Sequence, residues 1–241
     1  MFSLEMVLLL VEMVLLIATL LHLRSVEREW RERERLMEYL VRTTSVLTRQ
    51  DYFMTVMESL TEAEKEIIGG ITGTKPAGGD ETVVNRIAEL IEEASSRGVR
   101  IRYLIPKARD RLYVGYLYSR AGAEVRYHKG FVAYDLRYMV VDDSVVILGV
   151  PDERGEDKPT RRGFRVRSES LSLILKDRFD SFWNSEDAIP YEEYAKRSIE
   201  HLRKMNPGIS DELISKHLGI DVEEVRRLSG APKKMEGGLI S

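Results

Sequence analysis

The chain contains no cysteine and only four histidines in 241 residues. Disulfide bonds, thiol catalysis and cysteine-based zinc or iron–sulfur centres are thereby excluded. His22, His128, His201 and His217 never fall at a spacing that sets two of them on one helical face, so no metal site and no cofactor is expected. An excess of charge is equally lacking. Lys and Arg total 37 against 40 Asp and Glu, for a net charge of -3. That balance excludes a strongly basic surface spread over the whole molecule and confines any nucleic-acid contact to a local patch. Low complexity is absent too, and with 43% hydrophobic residues the chain has enough apolar content for a real core. Charged residues reach 32%, with Glu and Arg interleaved in the manner of heat-adapted proteins.

One long apolar run is present. From Met6 to Leu23 only Glu12, Thr19 and His22 interrupt it, and with Phe2 and Leu4 it approaches the ~20 residues that cross a bilayer core. No base precedes the run and no small-residue cleavage site follows it, which predicts an uncleaved anchor over residues 1–24. Arg24, Arg28, Arg31, Arg33 and Arg35 all lie after it, so the positive-inside rule places the N-terminus outside and the rest in the cytoplasm. Glu5, Glu12 and Thr19 recur every seven residues on one stripe, a candidate interface between membrane helices; a lone tolerated acid is the alternative.

Residues 25–50 lack Pro and Gly, and Leu23, Val26, Trp30, Met37, Leu40 and Leu47 fit heptad positions, interrupted by Arg33 and Thr44, over roughly three heptads. The expected element is a helical stalk, either a short coiled coil or a solvated single helix held by Glu/Arg pairs. From Asp51 helices and short strands alternate. An amphipathic helix (Tyr52, Phe53, Val56, Met57, Leu60) leads to a strand near Glu66 to Thr72 and a glycine-rich loop from Thr74 to Asp80. A helix then ends at Gly98, a strand runs to Pro106, a second helix ends at Gly122, and the strand AEVRYH follows. FVAYDLRYMVVDDSVVILGV reads as two strands joined at Asp142-Asp143-Ser144, PDERGEDKPTRRG as a polar loop, GFRVRS as a strand, and ESLSLILKDRFDSFWNS as a helix with a large apolar face. The predicted class is α/β with a mixed sheet over residues 51–187.

A separate helical tail is expected over 191–241. Pro207-Gly208 breaks the chain, Ser210 or Asp211 caps a helix, and Gly219 turns into a second helix from Asp221, a pattern like a helix-turn-helix. Arg226 and Arg227 on that second helix are the candidate nucleic-acid contacts; a small helical bundle with no DNA role fits the same pattern.

The element order, and above all DLRYMVVDDSVVILGV, resembles one half of the phospholipase D superfamily, over about Asp51 to Ser185. The family motif is His-x-Lys-x-x-x-x-Asp, followed by a Gly-Ser stretch with an Asn. Asp142 falls on the motif Asp and Gly149 on the Gly, but Asp135 occupies the His position, Arg137 the Lys position and Val150 the Ser position. The resemblance implies a phosphohistidine chemistry that lacks its nucleophile here. A carboxylate at Asp135 repels a phosphate, whereas Arg137 retains the ability to bind one bidentately. Two such halves form one site in the family, which implies a homodimer. Three readings follow. The first is a membrane-tethered, non-catalytic scaffold that binds an anionic ligand through Arg137, or a protein partner. The second is an active phosphodiesterase with an altered motif, acting on phospholipid or nucleic acid. The third is a membrane-bound DNA-binding regulator.

Overall fold

The computed structural model describes residues 47–76, 80–131, 136–151 and 160–230, together with Met13, Leu15, Leu16 and Thr19. Residues 1–45 and 46–241 form two separate units. The anchor and stalk expected over residues 1–50 therefore lie almost wholly outside the described residues. Among the described residues no helix is long and apolar enough to cross a membrane.

In the larger unit the chain order is α1 (Arg49–Glu62), β1 (Glu66–Gly70), α2 (Asp80–Ser96), β2 (Arg100–Pro106), a 3-10 turn (Arg109–Arg111), α3 (Leu112–Arg120) and β3 (Glu124–His128). It continues with β4 (Arg137–Val141), β5 (Val145–Pro151), β6 (Thr160–Arg167), α4 (Glu169–Trp183), β7 (Ile189–Pro190), α5 (Tyr191–Met205), α6 (Asp211–Leu218) and α7 (Val222–Leu228). The strands make one seven-stranded mixed sheet in the order β6-β5-β4-β1-β2-β3-β7. β1, β2 and β3 are parallel, joined through α2 and α3, because a parallel pair needs a crossover long enough to hold a helix. β4, β5 and β6 are antiparallel and meander outward from β1.

The pattern of burial follows from this. β4 is buried along its whole length, as expected of a strand covered on both faces. Met139, Val141 and Ile147 face a core closed by α1, α2, α3 and α5, while Tyr138, Val140 and Leu148 face α4. α4 buries Leu171, Leu175, Phe179 and Trp183 at helical spacing, so its aromatics are core.

Three boundaries differ from the sequence expectation. α1 starts at Arg49 because Thr48 and Asp51 form a reciprocal capping box, so Arg49 and Gln50, expected in the stalk, belong to α1, and Leu47 pairs antiparallel with Gly163. β6 starts at Thr160 rather than Gly163, because its backbone continues to pair with β5 as far as Pro151, past a bulge at Val150/Pro151. The third difference is the tail. Through residue 230 it is no separate module: Tyr191, Tyr194, Ala195, Ile199, Ile214, Leu218, Ile220 and Val225 belong to the same apolar core as the sheet, and β7 adds a short edge to β3. α5 packs against α3 and β3, and α7 packs against α5 and α6.

The hairpin between β4 and β5 turns through Asp142, Asp143 and Ser144; Asp142 and Asp143 are both left-handed (φ 48° and 58°), as the central pair of a mirror-image turn requires, and the Ser144 N–H closes it on the Val141 carbonyl at 3.2 Å. Asp142 accepts backbone N–H bonds from Glu64 (2.9 Å), Lys65 (2.8 Å) and Glu66 (3.0 Å), tying the hairpin to the start of β1. Burial raises the affinity of this carboxyl for its proton, but the three N–H donors outweigh burial and hold its pKa below the usual carboxylate value. A depressed folded value means a contribution to stability that is complete above the unfolded value of about 3.9 and is lost as pH falls through the folded one. Chemical denaturation at pH 6 and pH 3 should therefore show a larger acid loss for the wild type than for Asp142→Asn. Equal losses would mean the three bonds add nothing.

Candidate functional site

A cavity of about 400 Å³ opens beyond the carboxyl end of β1, between the sheet and α1, α2 and α3. Open α/β sheets offer a crevice at this end of their parallel strands because the crossover loops diverge there. The loop Ile71 to Pro76 forms one wall. It is held by the buried Arg111, whose Nη1 donates to the Thr72 carbonyl at 2.6 Å.

Arg137, the first residue of β4, projects into this cavity and is only 7% exposed. Its Nη1 donates to Thr160 Oγ1 at 2.6 Å, a bond that depends on β6 reaching back to Thr160. Across the sheet Arg137 pairs with Gly149, and Gly149 with Gly163. Both glycines are needed by close approach. A Cβ on Gly149 would stand 2.9 Å from the Tyr52 ring and one on Gly163 2.5 Å from it, so their bare backbone lets Tyr52 lie flat beside Arg137. Burial lowers the Arg137 pKa, the neighbouring Tyr52 counters this, and Arg111 and Arg49 lower it further. A guanidinium stays charged regardless, so positive charge is concentrated here in a low-dielectric setting. Burial pushes the Tyr52 hydroxyl up to about 12, Arg137 partly opposing it, which keeps that hydroxyl a neutral donor at pH 7.

The remaining lining is of two kinds. Arg49, Lys75, Tyr103, Tyr118, Thr72 and Thr74 supply hydrogen-bond donors, and Val56, Ile71, Val84, Ile87, Val114 and Met139 supply apolar walls. No Asp, Glu, His, Ser or Cys is among the described lining residues. Such a site suits an anionic group carried on an apolar or aromatic body.

The three motif positions part company. Arg137 lines the cavity, Asp142 sits at the opposite end of β4 as the backbone clamp described above, and Asp135 lies outside the described residues. His128 is buried beside Phe182, accepts from the Gly130 N–H at 2.9 Å, and is absent from the cavity lining. Arg226 pairs with Glu212 at 3.0 Å, and Arg227 with Glu224 and Glu192 at 2.8 Å each, so carboxylates already hold both candidate nucleic-acid contacts. Of the membrane stripe, Glu5 and Glu12 lie outside the described residues; Thr19 donates its hydroxyl to the Leu15 carbonyl at 2.8 Å. Among the described residues no cluster of acids and histidines has the geometry to hold a metal ion.

Sequence reasoning missed Tyr52, Tyr118, Lys75 and Thr160 as cavity residues. Tyr52 sat on an amphipathic stripe and read as core, and Thr160 sat in a polar loop. The available signal was the pair Gly149 and Gly163 in strands otherwise rich in bulky residues, because glycine in a strand marks close approach by something else.

No protein-family model matches the chain, and no curated protein matches it in sequence. Similar solved structures include that of TrmBL2, an archaeal chromatin protein with a novel mode of DNA binding (19% identity, TM-score 0.44, covering 74% of this chain and 69% of that one). Two others are Nuc from Salmonella typhimurium, a phospholipase D family member (15% identity, TM-score 0.45), and NucT from Helicobacter pylori (14% identity, TM-score 0.46). Each of these covers 61% of this chain and 98% of the other.

Proposed function

We propose that the chain is a membrane-tethered, non-catalytic scaffold of the phospholipase-D-like type, dimeric, which binds a small anionic ligand in the cavity of Arg137. The observation that carries this reading is the convergence of donors: Arg137, Arg49, Lys75 and the hydroxyls of Tyr52, Tyr103, Tyr118 and Thr160 line a cavity whose described lining has no carboxylate and no imidazole. That composition supports binding of an oxyanion. Arg137 stands at the motif Lys position, and a guanidinium there keeps the anion-holding half of the family's chemistry. The tether and the dimer rest on the apolar run from Met6 to Leu23, the stripe of Glu5, Glu12 and Thr19, and the single motif copy.

The test is calorimetric titration of the full chain in detergent with phenyl phosphate, an anion on an aromatic body. Binding is expected, and Arg137→Met should weaken it by roughly tenfold to a hundredfold, the loss of one charge-assisted pair at about 1.5–3 kcal/mol. Unchanged affinity in Arg137→Met would remove the ligand from this cavity. Turnover of bis(p-nitrophenyl) phosphate by the wild type, abolished by Asp135→Asn, would replace the scaffold with a phosphodiesterase.

A further inference from the structure

Helix α3 has two working faces. Val114 and Tyr118 line the cavity, whereas Tyr113, Tyr116 and Arg120 meet the turn between α6 and α7. Gly219 closes α6 in the left-handed region (φ +69°), and a Cβ added there would stand 3.3 Å from the Tyr113 Cβ, so the backbone of the turn rests against Tyr113. Two residues on, Asp221 accepts from the Tyr116 hydroxyl and from Arg120 Nη1 at 2.9 Å, while Arg120 also donates to the Tyr116 oxygen at 2.7 Å. The opposite neighbour of Tyr113 belongs to the cavity: Lys75 Nζ lies 5.4 Å from the centre of its ring.

One ring is thus shared between a cavity cation and the turn of the C-terminal helix pair. Lys75 is exposed, on a flexible four-carbon stem, and its ammonium is a compact charge free to choose among anionic and aromatic partners. A bound oxyanion outcompetes the weak pull of a ring face for that charge. We propose that Lys75 is a second anion contact of the cavity, and that its transfer from the Tyr113 ring to the ligand loosens the α6–α7 pair, making these helices the reporter of an occupied cavity. The proposal rests on the anion-binding reading above and adds its regulation. It also gives the trailing helix pair a role that needs neither Arg226 nor Arg227: the pair changes its own docking.

Hydrogen–deuterium exchange on the full chain in detergent tests this without requiring the natural ligand. Lys75→Met should speed exchange of peptides spanning 211–229 by about threefold to fivefold, the worth of an exposed cation–ring contact. Peptides of α5 should not change, and Lys107→Met, which removes a similar contact with Tyr194 at 5.8 Å, should leave 211–229 unaffected. Adding phenyl phosphate to the wild type should bring 211–229 to the rate seen in Lys75→Met and have no further effect on that variant. Wild-type rates in Lys75→Met, or acceleration spread evenly over the sheet, would overturn the proposal, as would phosphate binding that leaves 211–229 unmoved. Coupling seen in Lys75→Met with no phosphate binding would place the failure in the ligand reading and leave the Lys75–Tyr113 linkage standing.

Discussion

Gly115→Ala is expected to destabilise the domain by about 2–3 kcal/mol, although by intrinsic propensity alone alanine in the middle of a helix is better than glycine by about 1 kcal/mol. The reason lies across the interface. A Cβ on Gly115 would stand 1.9 Å from the Tyr127 hydroxyl oxygen and 2.9 Å from its Cζ. Tyr127 cannot give way, because it is fully buried, donates to the Arg111 carbonyl at 3.1 Å and packs on Tyr194 with ring centres 4.5 Å apart. Overpacking of this kind outweighs the propensity gain. Tyr127→Phe removes the contacting oxygen, so the double variant should recover part of the loss, a non-additivity expected of residues in direct contact. Urea denaturation of the four proteins of this cycle is the measurement; a Gly115→Ala protein as stable as the wild type would show that α3 can shift away from β3, and would weaken the view of α3 as a rigid two-faced element.

Removing the charge of Arg102 should cost a similar amount. Arg102 is 6% exposed on β2, donates from Nε and Nη2 to Glu66 Oε1 (3.2 and 3.0 Å) and from Nη1 to Asp180 Oδ1 at 2.9 Å, and lies over the rings of Phe179 and Trp183. Arg102→Leu leaves two carboxylates without their shared partner. Both keep some access to water, and Lys176 still reaches Glu66 at 2.9 Å, so the cost belongs at the lower end of the range for breaking a buried pair, about 3 kcal/mol. For a domain of this size that corresponds to a fall in Tm of roughly 6–12 °C. The loss should be nearly the same in low and high salt, since the pair is sheltered from counter-ions. A loss below about 1 kcal/mol, or one that vanishes in high salt, would mean that the network behaves as an exposed surface pair.

These residues also mark how far a sequence can be read. The alternation of amphipathic helices and short apolar strands placed every element of the sheet except β7, and the Asp142-Asp143 turn, which needs two left-handed residues, fixed the hairpin. Glycines at 98, 122 and 219 marked the helix ends, and each adopts the positive φ that such ends require. Arg137 was legible as a candidate, because its type and its place at the start of the hairpin stand in the sequence, and the structure puts it in the cavity lining. Its companions were not. Tyr52, Lys75 and Thr160 come from three distant segments, and what unites them is the cavity they line. Asp142 stood in the same motif as Arg137, yet strand geometry puts residues five apart at opposite ends of β4, where one meets the cavity and the other the backbone of β1.

The tail shows the same division. Its caps at Ser210 and Gly219 and its apolar spacing are local properties, set by backbone hydrogen bonding and side-chain periodicity within a few residues, and the sequence by itself determined them. Local periodicity tells that a helix has an apolar face; it does not tell what covers it. Only the tertiary structure decided that Ile214, Leu218 and Val225 complete the core beneath the sheet, that the two arginines of the second helix face carboxylates, and that Tyr113 lies between the cavity and the tail. Those outcomes depend on which surfaces meet across long separations in sequence, and burial energy, being non-directional, leaves no local trace of its partner in the chain.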